Sequence, residues 1–152
     1  MKTSAGIVLY RLTSGEPEFF LVHPGGPFFA KKNEGWWTIP KGEPSDGEDF
    51  LHCAIREFSE ETGCTPVAPF IPLQPITQKA GKTVHAWAAA GNLDATTITC
   101  NTFEIEWPPK SGRKMAFPEV DKAGWFTYTD AAMLINERQR ALLEELLSRI
   151  TF

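Results

Sequence analysis

Glu57, Glu60 and Glu61 are the residues whose type and spacing point most directly to chemistry. Glu57 and Glu61 are four apart and Glu57 and Glu60 three apart, so on a helix the three carboxylates are near neighbours. Like charges at those spacings destabilise a helix by ~0.2–0.5 kcal/mol per pair. They also fall in the last turn, where the macrodipole disfavours anions. Arg56 neutralises part of this repulsion, and a divalent cation would neutralise far more, because hard cations such as Mg²⁺ take oxygen ligands. For Glu-x-x-Glu-Glu in isolation, a solvated acidic face is the competing reading.

The surrounding residues decide between the two. Gly42 is followed by five residues, Glu48, seven residues, and then Arg56-Glu57-Phe58-Ser59-Glu60-Glu61-Thr62-Gly63-Cys64. This stretch resembles the Nudix box at every specified position. Its seven identities have a chance frequency of about 10⁻⁸ per start position at average residue usage. Cys64 fills the last apolar position, where a buried free thiol behaves as a small hydrophobe. The preceding Trp37-Thr38-Ile39-Pro40-Lys41-Gly42 is similar to the lead-in of Nudix enzymes acting on nucleoside and dinucleoside polyphosphates. A looser resemblance covers the whole chain: an opening hairpin, the box, late strands and a closing helix.

The resemblance implies an α/β protein of the Nudix fold, an α/β/α sandwich around a mixed β-sheet with the box as loop-helix-loop. It implies a hydrolase cleaving a nucleoside diphosphate linked to another moiety, X, with Mg²⁺ or Mn²⁺ as cofactor. Carried over by position, Glu57, Glu60 and Glu61 bind metal, and either Glu57 or Glu60 is the general base. Arg56 orients a box carboxylate, and Glu48 holds the loop or Arg56. The Gly42 carbonyl completes a metal shell, and Gly63 ends the helix. Glu119, ahead of the strand containing Trp125-Phe126, stands where family members often add a further carboxylate. Glu104 and Glu106 are weaker candidates, since alternation in their strand points them to solvent.

Lys41 beside the box, Trp36 and Arg113 are read as substrate-binding: cations for phosphate, an aromatic ring for a base. Phe28 and Phe29 are further stacking candidates, whereas Lys79, Lys82 and Lys114 taken singly read as surface. His23, His52 and His85 show no metal-ligand spacing, and Trp87 and Trp125 read as core. Substrate-subgroup signals are weak. The stretch Gln78-Lys79-Ala80 lacks the proline of ADP-ribose types, Gly81-Lys82-Thr83 lacks the tyrosine of many dinucleoside polyphosphate types, and coenzyme A and NADH signatures are missing.

These residues need elements to position them. Ala5–Tyr10 and Glu18–His23 read as strands of a hairpin turned at Ser14-Gly15. A long Gly/Pro loop with two phenylalanines and two lysines follows, then a short strand over residues 36–39. The helical pattern runs over residues 49–62, capped by Asp46 or Asp49 and closed by Gly63, with Leu51, Ala54, Ile55 and Phe58 as its core arc. Prolines 66, 69, 72 and 75 make the next stretch extended. Strands are expected over residues 82–90, 102–107 and 123–127, with a basic loop over 108–114. A short helix over 130–135 and a final helix capped by Asn136 complete the order.

At 152 residues, with 42% hydrophobic and 22% charged, the chain reads as one domain over 1–152. Its net charge of −4 argues against coating duplex nucleic acid but leaves room for a small phosphorylated ligand. The expected partner is a small-molecule nucleotide or related pyrophosphate, and the expected assembly a monomer or homodimer. Three cysteines with no C-x-x-C pair point to reduced thiols in the cytoplasm. The N-terminal apolar run is too short for a secretory signal, and no stretch has membrane-span length, so no membrane partner is expected. A Nudix-fold module that binds a nucleotide or docks a partner without turnover is the alternative, but the intact glutamate cluster favours the enzyme.

Overall fold

The computed structural model describes residues 2–150. Strands β1 (Thr3–Thr13) and β2 (Glu16–Pro24) form the opening hairpin. The short β3 (Lys41–Gly42) pairs antiparallel with β1 and leads into helix α1 (Phe50–Thr62). Then come β4 (Ile71–Pro72), β5 (Ile76–Thr77), β6 (Thr83–Ala90), β7 (Thr102–Glu106), β8 (Lys114–Pro118) and β9 (Val120–Thr127). Helices α2 (Tyr128–Leu134) and α3 (Arg140–Arg149) close the order.

One mixed sheet takes the order β4-β6-β1-β2-β9, with β3 added to β1 and β5 to β6. The β1–β6 pairing is parallel and the others antiparallel. Strand alternation divides the apolar residues between two faces. Ala5, Ile7 and Leu9 of β1 and Phe20 and Val22 of β2 pack under Cys53, Ala54 and Phe58 of α1. Val8, Phe19 and Leu21 face Ala131 and Leu134 of α2 and Leu142, Leu143 and Leu146 of α3. The result is the expected α/β/α sandwich.

Helix α1 starts and stops for local reasons. The Asp49 carboxylate accepts from the His52 amide at 2.8 Å, which caps the start. Gly63 ends the helix at φ 79°, a left-handed conformation that glycine reaches without a Cβ penalty. Its core arc is rotated from the expected one: Cys53 is fully buried, whereas Leu51 and Ile55 are half-buried. Cys64 is exposed, contrary to expectation, because the chain turns away from the core at Gly63. The proline-rich stretch lies along the sheet edge as β4 and β5, an extended connection within the fold. Trp37 and Thr38 make two isolated bridges rather than the expected short strand. Trp87 and Trp125 are only partly buried, at the margin of the α1 layer. Among the described residues no helix is long and apolar enough to cross a membrane.

Candidate active site

The turn from β3 into α1 brings the box residues together. Arg56 is the hub. Its Nε donates to Glu48 Oε2 and its Nη2 to Glu48 Oε1, both at 2.9 Å, a bidentate pair. Its Nη1 donates at 3.0 Å to both Glu57 Oε1 and Glu60 Oε2. Glu48 in turn accepts from the Ser45 amide at 3.0 Å, which fixes the loop before the helix. The Arg56 guanidinium pulls the Glu48 carboxyl down to about 2. Arg56 thus joins Glu48, Glu57 and Glu60 in one hydrogen-bonded group.

Glu57 reaches back across the turn. Its carboxylate lies against the α-carbon of Gly42, in the space that a Cβ would fill. Only glycine leaves that cradle open. The Gly42 carbonyl, expected in a metal shell, here accepts from the Cys53 thiol at 3.4 Å. Burial pushes that thiol up to about 11, so it stays a neutral donor near pH 7.

Glu57, Glu60, Glu61 and Glu119 stand close enough to feel one another's charge. Burial raises Glu57, with Glu60 and Glu119 adding to the rise while Arg56 opposes it. Glu119 is raised by burial and then by Glu60. Glu61 is only 8% exposed. Burial, followed by the charges of Glu57 and Glu119, raises it to about 9, against the opposing pull of Lys41. Lys41 is lowered by its own burial. Lys41, Glu61, Glu119 and Thr38 line one cavity of about 170 Å³. Glu57, Glu60, Glu61 and Glu119 are the hard oxygen donors from which a dication site would be assembled. Among the described residues, no three acidic, His or Cys side chains already converge on one metal position; Arg56 occupies the space between Glu57 and Glu60.

Glu61 yields a stability prediction. A carboxyl raised above its unfolded value of 4.5 contributes its full stabilisation below pH 4.5 and loses it as pH climbs through about 9. In the metal-free protein, Glu61→Gln should therefore raise Tm at pH 8 by roughly 5 °C or more, and the gain should vanish at pH 4.5. Thermal melts in EDTA at the two pH values check this; a gain independent of pH would contradict it.

The other expected site residues lie elsewhere. Trp36, 44% exposed, lines a separate hollow of about 270 Å³ with Lys79, Asn136 and Arg138. Arg113 sits in the exposed turn between β7 and β8. Glu104 and Glu106 point to solvent, as expected. An open hollow of about 390 Å³ beside Arg56 and Glu60 is also lined by Ser59, Thr99 and Asn101.

Two supports have no signal in the sequence. His23 is fully buried. Its Nε2–H donates to the Lys32 carbonyl at 2.6 Å, and its Nδ1 pairs with Asp121 Oδ1 at 2.7 Å. It ties the long loop to β9, two residues beyond Glu119. Gln139, 1% exposed, accepts from the Ile39 amide at 3.0 Å and donates to Thr38 Oγ1 at 2.9 Å. It holds the strand-like segment that delivers Lys41 and Gly42. Asp121 and Ile39 stand 98 and 100 positions from the residues they meet, so spacing carried no trace of these contacts.

Comparison with known proteins adds four findings. A family model described as the NUDIX domain matches residues 2–146. Among curated proteins, the mRNA-decapping protein g5R of African swine fever virus (isolate Warthog/Namibia/Wart80/1980) is 29% identical over 115 residues, covering 73% of this chain and 44% of that protein. The asymmetrical bis(5'-nucleosyl)-tetraphosphatase of Caenorhabditis elegans is 40% identical over 62 residues, 41% of each chain. The matches thus span under half the length of these relatives. Among solved structures, a C. elegans Ap4A hydrolase binary complex superposes with TM-score 0.69 at 25% identity, covering 97% of this chain and 96% of that one.

Proposed function

This chain belongs to the NUDIX domain family, and on that premise we propose that it is a Mg²⁺- or Mn²⁺-dependent pyrophosphohydrolase. Its substrate is a nucleoside diphosphate linked to another moiety, X, with nucleoside triphosphates and dinucleoside polyphosphates as the leading class. The observation that carries this reading is the Glu57 carboxylate seated on the bare α-carbon of Gly42, within a group of mutually repelling carboxylates. Such a group is unfavourable on its own, and a hard dication suits its all-oxygen chemistry. The relatives' names, a tetraphosphatase and a decapping protein, support the nucleotide side of the reading.

Glu57, Glu60, Glu61 and Glu119 would hold the metal, with the Gly42 carbonyl beside them. A bound dication supplies the positive charge that screens a pyrophosphate and eases deprotonation of water. The chain's own groups do the rest. One of the Glu57–Glu60 pair takes the water proton, and Arg56 aims both carboxylates. Lys41, half-buried at the cavity, meets a phosphate oxygen. Water adds to phosphorus as the bridging P–O bond breaks, leaving a nucleoside phosphate and phosphorylated X. The three free thiols suit a reducing cytoplasm, and that location is part of the proposal.

The test is a Mg²⁺-dependent screen of the full chain against NTPs, oxidised NTPs, dinucleoside polyphosphates, ADP-ribose, NADH and diphosphoinositols, with Glu60→Gln as control. A nucleoside or dinucleoside polyphosphate should be turned over at least about 100-fold faster than by the control, a general-base-sized effect. No turnover above the control for any compound would replace the enzyme with a nucleotide-binding module.

A further inference from the structure

We infer that the loop from Pro24 to Trp36 and the β7–β8 hairpin form a ledge that binds single-stranded RNA, so that X is the 5′ end of an RNA strand. This rests on the pyrophosphohydrolase reading and deepens it by naming X.

The hairpin stands apart from the main sheet. Phe103 pairs with Phe117 and Ile105 with Met115, and the Trp107 amide continues the ladder to the Arg113 carbonyl at 2.9 Å. Alternation therefore puts Phe103, Ile105 and Trp107 on one face with Met115, Phe117 and Arg113. Glu104, Glu106 and Lys114 take the other face. A two-stranded hairpin is marginal alone, and the loop props it: Phe28 packs edge-on to Trp107 at 5.6 Å, and the Phe103 ring lies over Gly26.

That packing leaves much aromatic surface uncovered. Phe28 is 62% exposed and Met115 45%. Phe29 leans on Trp36 at 5.7 Å, and the Lys32 ammonium lies 5.3 Å from the Trp36 ring. Cations lie on the same two segments: Lys31 and Lys32 in the loop, Lys110 and Arg113 at the hairpin turn. These four come from a chain whose net charge is −4. Exposed aromatic faces interleaved with cations are what a single strand uses, because its unstacked bases offer π-faces and its backbone offers phosphates at each step. Spread over two segments, they are more than one nucleoside requires. A duplex hides its base faces and calls for a broad basic surface, whereas this chain carries a net charge of −4.

The ledge adjoins the proposed reaction centre through backbone bonds. The Gly25 amide donates to the Glu119 carbonyl at 2.8 Å, and the Glu119 amide donates to the Asn101 carbonyl at 2.9 Å, just ahead of β7. Loop and hairpin both depart from the residue whose carboxylate lines the Lys41 cavity. A strand with its 5′ pyrophosphate in that cavity would run onto them.

Fluorescence anisotropy in EDTA with a 5′-hydroxyl 10-nucleotide RNA tests this. That probe has no pyrophosphate, so it reads the ledge alone, while the hydrolysis screen reads the carboxylates; either can fail without the other. The single strand should bind at least about tenfold more tightly than a duplex of the same sequence, with a salt dependence that Arg113→Ala reduces. Phe28→Ala and Arg113→Ala should each weaken binding at least about fivefold, with melting temperatures near that of the unsubstituted chain. Lys114→Ala, on the opposite face, should change it less than about twofold. Equal affinity for the duplex, equal displacement by diadenosine tetraphosphate, or indifference to both Phe28→Ala and Arg113→Ala would overturn the inference.

Discussion

Glu57→Gln should lower kcat by at least about 10³-fold in saturating Mg²⁺, equivalent to roughly 4 kcal/mol of barrier. Glutamine keeps the shape of the side chain but removes its charge. The substitution withdraws one carboxylate from the donor set and one half of the Glu57–Glu60 pair that Arg56 holds. Steady-state kinetics on the best substrate of the screen would check it. The loss should sit in kcat and in the Mg²⁺ concentration needed for half-activation, with KM for substrate changing far less, because the proposed phosphate contact from Lys41 is untouched. A fall confined to KM would mean that Glu57 serves binding alone. The fold should survive: Glu57 retains 14% side-chain exposure and packs against Gly42 at the end of β3 rather than in the core.

Gly42→Ala should cost at least about 100-fold in kcat through the same carboxylate. Gly42 needs no positive φ, so alanine's backbone preferences are not at issue. The difficulty is the added methyl, which would occupy the place of the Glu57 carboxylate. That group is the end of a flexible side chain and can swing aside at little expense in stability, so Tm should move by only a few degrees. Its catalytic position cannot be kept. Two substitutions acting through one group are not additive, so the Gly42→Ala/Glu57→Gln double variant should be no slower than Glu57→Gln alone. A double variant slower by the product of the two single losses would place the role of Gly42 elsewhere.

Much of this site was legible in the residues because its logic is local. Helix period alone gathers Glu57, Glu60 and Glu61, and Asp49 and Gly63 mark the helix ends by types whose capping physics is short-range. The continuous apolar runs of β1 and β2 put apolar residues on both faces, as in a sheet buried between two layers. What escaped depends on contacts distant in sequence. His23 meets Asp121 across 98 positions and Gln139 meets Ile39 across 100. β8 was hidden because Lys114–Pro118 follows a basic turn and ends in proline, so its strand character comes from pairing with β7 rather than from propensity. The exposure of Cys64 follows from the direction in which the chain leaves Gly63, which residue type does not encode.

On the proposed function, the Glu57, Glu60, Glu61 and Glu119 carboxylates hold a dication. Titration of the full chain with Mn²⁺, followed by electron paramagnetic resonance of the free ion, measures this without any substrate. Saturable binding that weakens at least about tenfold in Glu57→Gln, and is displaced by Mg²⁺, is the expected result. Mn²⁺ that stays free, or that binds equally well to the unsubstituted chain and to Glu57→Gln, would contradict it.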